Sequence, residues 1–353
     1  EIKRLAREES RTFDEFAIFY RTHAQSRQFE DVFRREKIEY QIVGGLRFYD
    51  RKEIKDVLSY LKAVMNPADS VSLKRVINVP ARGIGKTTLD KVESHWISRQ
   101  MENPRATYWD ALVEAASDPS LLSGAVSKKI RAFTDLMFKL GREQPKLLLS
   151  ELYHLILDET GYVNELKQEG TEESQARVEN LEELDSLLLE FEEDFFQATP
   201  ADATEQDKEA RRSELLPLFL EQSTLATEVQ GDSGGEIRSV AMMTLHSSKG
   251  LEYPVVFLPG MEEGLFPSIR AWEETQDDEI EEERRLCYVG MTRARERLYM
   301  THVLVRRLWG QVHYQEPARF FQEIEESLLE FRDLSQGNSA SVFRPGSSRH
   351  YGF

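Results

Sequence analysis

Two segments carry residue types suited to chemistry. The first, Met243–Gly264 (MTLHSSKGLEYPVVFLPGMEEG), sets Thr244, His246 and Lys249 in a short polar stretch after an apolar run. Hydroxyl, imidazole and ammonium groups so spaced can donate to a phosphodiester backbone. Glu252 follows, an acceptor for a sugar hydroxyl. A solvated surface loop would show the same residues, so this segment alone leaves both readings open. The second, Glu281–Arg297 (EEERRLCYVGMTRARER), opens with three carboxylates where a helix N-terminus favours them. Gly290 breaks the helical pattern, leaving Thr292-Arg293 ahead of the next apolar run. A guanidinium held there can project toward a neighbouring domain's triphosphate as an arginine finger; a surface ion pair is the alternative.

A third segment invites a mistake. Gly83-Ile84-Gly85-Lys86-Thr87 matches the end of the phosphate-cradling pattern G-x-x-x-x-G-K-[ST], but Pro80 stands where its first glycine belongs. Proline has no N–H to offer a phosphate, and the preceding residues read as a helix and a turn rather than a strand. Two readings remain for Gly83 and Gly85: a turn whose amides meet a DNA phosphate, or an ordinary helix-capping turn.

The elements that must position these residues follow from periodicity. Phe16–Tyr20, Tyr40–Val43, Val240–Leu245, Pro254–Pro259 and Leu298–Val303 read as strands. Gln25–Arg35, Lys52–Met65 and Glu279–Val289 read as helices, the second stopped by Asn66-Pro67. Loops at the carboxyl ends of strands in open α/β sheets are where ligands bind. From Ser70 to about Thr227 only helical repeats occur, with a polar loop expected over Ala198–Lys208 and a Gly-rich linker over Gln230–Glu236. The expected fold is α/β: a discontinuous parallel-sheet domain (1–66 and 236–330), an inserted all-α domain (67–235) and a flexible tail (331–353).

The chain has 353 residues and a formal net charge of -17. The excess acid is local: residues 164–236 carry 5 basic and 21 acidic side chains, and the remainder is nearly neutral. Acidity therefore does not exclude a nucleic-acid partner, and the acidic stretch reads as a solvated face directed away from DNA. A single cysteine, Cys287, permits no internal disulfide and fits a reducing compartment. No apolar stretch is long enough to span a bilayer. Glu1 is not an initiator methionine and no leader follows it, so a cytoplasmic piece of something longer is expected.

The two segments together resemble motifs V and VI of superfamily 1A DNA helicases of the UvrD/PcrA/Rep type. The likeness extends to Tyr20-Arg21-Thr22-His23-Ala24-Gln25-Ser26-Arg27, to Gly44-Gly45-Leu46-Arg47-Phe48, to Arg51-Lys52-Glu53-Ile54-Lys55-Asp56 and to the Gly83-Ile84-Gly85 turn. It covers about residues 14–325 and is weakest over 164–236.

The resemblance implies a RecA-like second motor domain (2A) with its insertion (2B). ATP would bind between this domain and an N-terminal motor domain (1A/1B), which would also supply the Walker A and B residues and the Mg2+ ligands. Arg293 would contact the γ-phosphate and Glu252 the ribose. Thr244, His246, Arg21 and His23 would approach single-stranded DNA, although His23 replaces the family's usual Asn. Trp309 takes the place of an aromatic beside the bases, and Gly83 and Gly85 would meet the duplex near its junction. The implied activity is ATP-dependent 3′→5′ unwinding in repair or replication, in a nucleoid-associated cytoplasmic enzyme, without ATP turnover by this chain alone. A helicase–nuclease subunit and a non-enzymatic DNA-binding module are the competing readings.

Overall fold

A computed structural model of the protein describes residues 1–118, 120–197, 205–228, 238–268, 276–308 and 311–334. Five strands form one parallel sheet: β1 (Phe16–Tyr20), β2 (Tyr40–Ile42), β3 (Val240–Thr244), β4 (Tyr253–Leu258) and β5 (Ala294–Met300). Their spatial order is β2-β3-β1-β4-β5. β3 thus fills the slot between β1 and β2, although a long helical stretch precedes it in the chain.

Every residue of β1 and β3 is buried, because helices or loops cover both faces of the sheet. Strand alternation sorts the side chains. Phe16, Ile18, Tyr20, Val240 and Met242 share a core with Leu5 of α1 (Ile2–Glu8) and Phe33 of α2 (Ser26–Arg35). Ala17, Phe19, Ala241 and Met243 face the other way, toward Leu286 and Cys287 of a helix over Gln276–Met291.

Between these sheet segments lie α3 (Lys52–Met65), α4 (Ser70–Val76), α5 (Lys86–Glu102), α6 (Tyr108–Ser117) and α7 (Gly124–Glu143). They are followed by α8 (Leu149–Thr160), α9 (Tyr162–Glu169), α10 (Glu172–Gln197) and α11 (Glu205–Glu228); the helix over Gln276–Met291 is α12. The Asp69 carboxylate caps α4, accepting from Val71 N and Ser72 N. Ile54, Val57, Tyr60 and Leu61 of α3 pack in one core with Phe133 of α7 and Leu184 of α10, so α3 packs with the helices that follow it.

The α/β class and the discontinuous sheet stand as expected, and among the described residues between 67 and 235 there is no strand. The sequence reading named no separate helix for α1, α9 or α11, and it missed an antiparallel hairpin of β6 (Val305–Leu308) and β7 (Gln311–Tyr314). The loop expected over Ala198–Lys208 is corrected at its end, since α11 begins at Glu205; residues 198–204 lie outside the described residues, as do the linker at 230–236 and the tail from 335. Gly290 does not break α12. It lies inside the helix, where a Cβ would meet Leu245 and come within 3.3 Å of Leu258. Among the described residues no helix is long and apolar enough to cross a membrane.

Candidate functional site

The first group of candidate residues gathers at the carboxyl edge of the sheet, where Tyr20 and Thr244 are register partners. Arg21 leaves β1 and is held by Glu283 of α12, through Nη2 at 2.8 Å and Nε at 2.9 Å. That carboxylate is buried and also accepts from Ser268 N. The Thr244 hydroxyl is buried and occupied locally, 3.0 Å from Ser247 Oγ and accepting from Ser247 N. Thr244 therefore shapes the short 3-10 turn His246–Ser248, which presents His246 to solvent. Desolvation by its surroundings, and then the Arg21 charge, lower the His246 pKa against the pull of Glu283, Glu172 and Glu282.

His23 lies against the neighbouring loop. Its ring meets Tyr20 edge-on at 6.2 Å and occupies the space a Cβ on Gly45 would need. Burial, and then the charge of Arg51, push its pKa down to about 4. A neutral imidazole at physiological pH brings no positive charge to a phosphate, so any strand contact it makes is a neutral one.

From Thr244 the chain crosses one face of the sheet to Glu252, which precedes β4 at the opposite, amino edge. Glu252 therefore does not share the carboxyl-end position of Thr244 and His246. Thr244 and His246 sit at one edge, whereas Glu252 and Arg293 sit together at the other, because a parallel β3–β4 connection must return along the sheet. Tyr253 N donates to Arg293 O, pairing the starts of β4 and β5. Glu252 is exposed, and its ion pair with Arg295 (3.1 Å) is also exposed. Such a pair is worth about 0–1 kcal/mol, weak enough to be exchanged for a ligand hydroxyl.

Arg293 differs from its neighbours. Its Nε donates to Val289 O (3.0 Å), Nη2 to Thr292 Oγ1 (3.0 Å) and Nη1 to Leu251 O (3.4 Å), all neutral acceptors. Arg284 pairs with Glu281 and Glu323, Arg285 with Glu282 and Arg295 with Glu252. Among the described residues no carboxylate lies within ion-pair distance of Arg293. The result is an aimed cation without a counter-charge, beside an exchangeable carboxylate. That combination suits a polyphosphate with a sugar attached.

Gly83 and Gly85 are not part of either group. Gly83 adopts φ 64°, accepts from Lys129 Nζ of α7 at 3.0 Å, and leads to Gly85, the N-cap of α5. The turn's amides are partly taken: Ala81 N donates to Glu165, and Arg82 N and Ile84 N donate to Asn78 Oδ1. A helix, α4, precedes this turn, so the strand that a phosphate-cradling loop requires is missing there. Trp309 lies outside the described residues. Among the described residues no group of three or more His, Cys, Asp or Glu could hold a metal ion.

Residues 1–304 match the family described as UvrD-like helicase C-terminal domain. The chain belongs to that family. It is 40% identical over 341 residues to the ATP-dependent DNA helicase PcrA of Staphylococcus epidermidis (strain ATCC 12228 / FDA PCI 1200), covering 97% of this chain and 43% of the relative. It is 42% identical over 318 residues to the PcrA helicase of Staphylococcus aureus (strain Mu50 / ATCC 700699), covering 90% of this chain and 40% of the relative. The chain thus spans about two fifths of the length of these curated relatives.

Within this UvrD-like domain, sequence reasoning missed the residues that hold the candidates in place. Glu283 appeared only as one of three helix-start carboxylates, and its pairing with Arg21 spans 262 positions. Ser247 and Thr292 act through short-range contacts that a strand–turn assignment could have suggested, whereas Leu251 meets Arg293 across 42 positions. Arg51 stood in the sequence only as the first residue of the Arg51–Asp56 likeness, without a role, and its partner Asn180, which it meets beneath the His23 loop, left no local signal.

Proposed function

We propose that this chain supplies the second motor half of an ATP-dependent DNA helicase that moves 3′→5′ on single-stranded DNA and opens the duplex junction. The observation that carries this reading is the uncompensated Arg293 guanidinium beside Glu252 on an exposed sheet edge. Hydrolysis has water attack the γ-phosphorus as the bond to ADP breaks, and charge builds on the γ-phosphoryl oxygens. A guanidinium already aimed there, with no carboxylate among the described residues to compete, stabilises that charge without reorganising. Glu252 accepts from the nucleotide's ribose. Arg21 and His246 at the carboxyl edge approach the strand, Trp309 stacks on the bases by the family resemblance, and the Gly83–Gly85 turn meets the duplex.

On this reading the chain divides into a motor domain (1–66 and 236–330) and an inserted domain (67–235). An N-terminal motor domain of the same protein closes over the amino edge and provides the remaining phosphate and Mg2+ ligands. The enzyme works on DNA in the cytoplasm. The test is unwinding by the full-length protein on duplexes with one single-stranded tail. Unwinding of 3′-tailed duplexes with ATP supports the proposal, whereas unwinding confined to 5′ tails overturns the polarity. The isolated chain is expected to show no DNA-stimulated ATP turnover, and robust turnover would move the phosphate site into this chain.

A further inference from the structure

Arg51, just before α3, is only 5% exposed, yet its guanidinium reaches four segments of chain. Nη2 donates to His23 O at 2.9 Å and to Ser26 Oγ at 2.6 Å, in the loop and helix that follow β1. Nε donates to Leu46 O at 3.4 Å, in the loop that follows β2. Nη1 donates to Asn180 Oδ1 of α10 at 2.6 Å. The cation lies 5.3 Å from the Phe48 ring centroid, and Glu30, buried at 3.9 Å, supplies the opposite charge. Asn180 is fixed in turn, since its Nδ2 donates to Glu53 Oε1 at 2.6 Å.

The two loops so held form part of the carboxyl edge. One carries Arg21 and His23. The other carries Gly44, whose Cβ position lies 3.1 Å from Ser247 Oγ, Gly45 against the His23 ring, and Leu46, 60% exposed. A planar fork with donors in several directions can tie both carbonyls and the amide of Asn180 at once. A lysine keeps the charge, but its three donors radiate from one nitrogen and cannot span these acceptors.

We infer that Arg51 is the positioning residue of the carboxyl-edge site, setting the spacing between the His23 and Leu46 loops, and that Asn180 makes this spacing depend on where α10 sits. Arg51 touches no ligand; it acts through the two backbone carbonyls. Its consequence for binding rests on the nucleic-acid reading of this edge, whereas the spacing of the loops does not.

The experiment follows amide hydrogen exchange at residues 21–25 and 44–48, together with affinity for a short oligothymidylate, in the full-length protein. Arg51→Lys and Asn180→Ala are compared with Ile130→Val, a truncation in the helical core away from this network. The first two are expected to speed exchange in both loops by about 10-fold and to weaken binding by a similar factor, the scale of losing one buried hydrogen bond. Ile130→Val is expected to change neither. Unaltered exchange in Asn180→Ala, or equal acceleration in Ile130→Val, overturns the inference. Coupled exchange in a wild-type protein that does not bind oligothymidylate would sink the nucleic-acid reading of this edge and leave the role of Arg51 standing.

Discussion

Arg293 donates through Nη1 to the carbonyl of Leu251 at 3.4 Å, which ties the end of α12 to the end of the crossover loop one residue before Glu252. The two candidate nucleotide contacts therefore share one scaffold. Their spacing is set by a backbone acceptor rather than by an ion pair, and the guanidinium keeps its charge available. Arg293→Ala in the full-length protein is expected to lower ATP turnover by about 10³-fold or more, as for other arginine fingers, with oligonucleotide affinity little changed. Arg293→Lys restores the charge without the fork and is expected to recover only part of the rate. Steady-state ATPase and anisotropy on the same samples check this, and an equal loss of both would assign Arg293 to the fold.

The same scaffold depends on Gly290. Leu245 and Leu258 are each 1% exposed, so neither side chain has room to withdraw from a Cβ placed on α12. Alanine gains up to about 1 kcal/mol of helix propensity, which overpacking of about 1–3 kcal/mol opposes. Gly290→Ala is expected to be net destabilising by about 1 kcal/mol in urea unfolding. Adding Leu245→Val, which opens space at the contact, is expected to restore part of that loss; strict additivity would show that the two positions are not in contact.

The sequence spelled out β1 to β4 and most helices because a parallel sheet buried on both faces leaves continuous apolar runs such as Phe16–Tyr20. The expectation of β5 over Leu298–Val303 missed its start at Ala294, because the first half of that strand, which ends at Met300, is charged and largely exposed. It also pointed to Thr244, His246, Glu252 and Arg293, whose residue types stand close together in the chain. It did not separate them onto two edges, since the direction of β4 relative to β3 is a property of pairing that no local pattern encodes. The hairpin β6–β7 was missed because Val305-Arg306-Arg307 alternates poorly. The hairpin is anchored by Arg306 on the buried Glu262, 2.7 Å away and distant in sequence. The acidic stretch is a solvated face only in part, because several of its carboxylates have partners: Asp185 pairs with His154, and Glu192 accepts from Ser150. Glu183 and Glu190 of α10 bind Arg27, and Glu193 binds Arg307.

Arg27 gives that correction an energetic test. The residue is 3% exposed and bridges Glu183, Glu190 and Asp31. Removing one partner of a buried cluster leaves the others charged and desolvated, at a cost of about 3–5 kcal/mol. Arg27→Ala is therefore expected to lower the unfolding free energy by that amount. Arg27→Met combined with Glu183→Leu removes the two most buried charges of the cluster, keeps the volume and leaves Asp31 and Glu190, which are partly exposed, so it is expected to cost less. Urea titration of the two variants decides; equal losses would mean that packing of the Arg27 stem, not its charge, holds α10.

His23 predicts a pH dependence whose sign follows from its environment. Its folded pKa of about 4 lies below the ordinary histidine value, because burial and Arg51 disfavour the imidazolium. Between about pH 6.5 and pH 4 the unfolded chain takes up a proton that the folded ring refuses. The contribution of His23 to stability is thus complete above pH 6.5, falls as the pH drops through that window, and levels off below pH 4. The ring is partly accessible, so the loss is on the order of 2–3 kcal/mol at most. His23→Asn cannot titrate, and the difference in unfolding free energy between wild type and this variant is expected to grow steadily from pH 4 to pH 6.5. A flat difference across that range would mean that the imidazole titrates normally and that the loop against Gly45 does not enclose it.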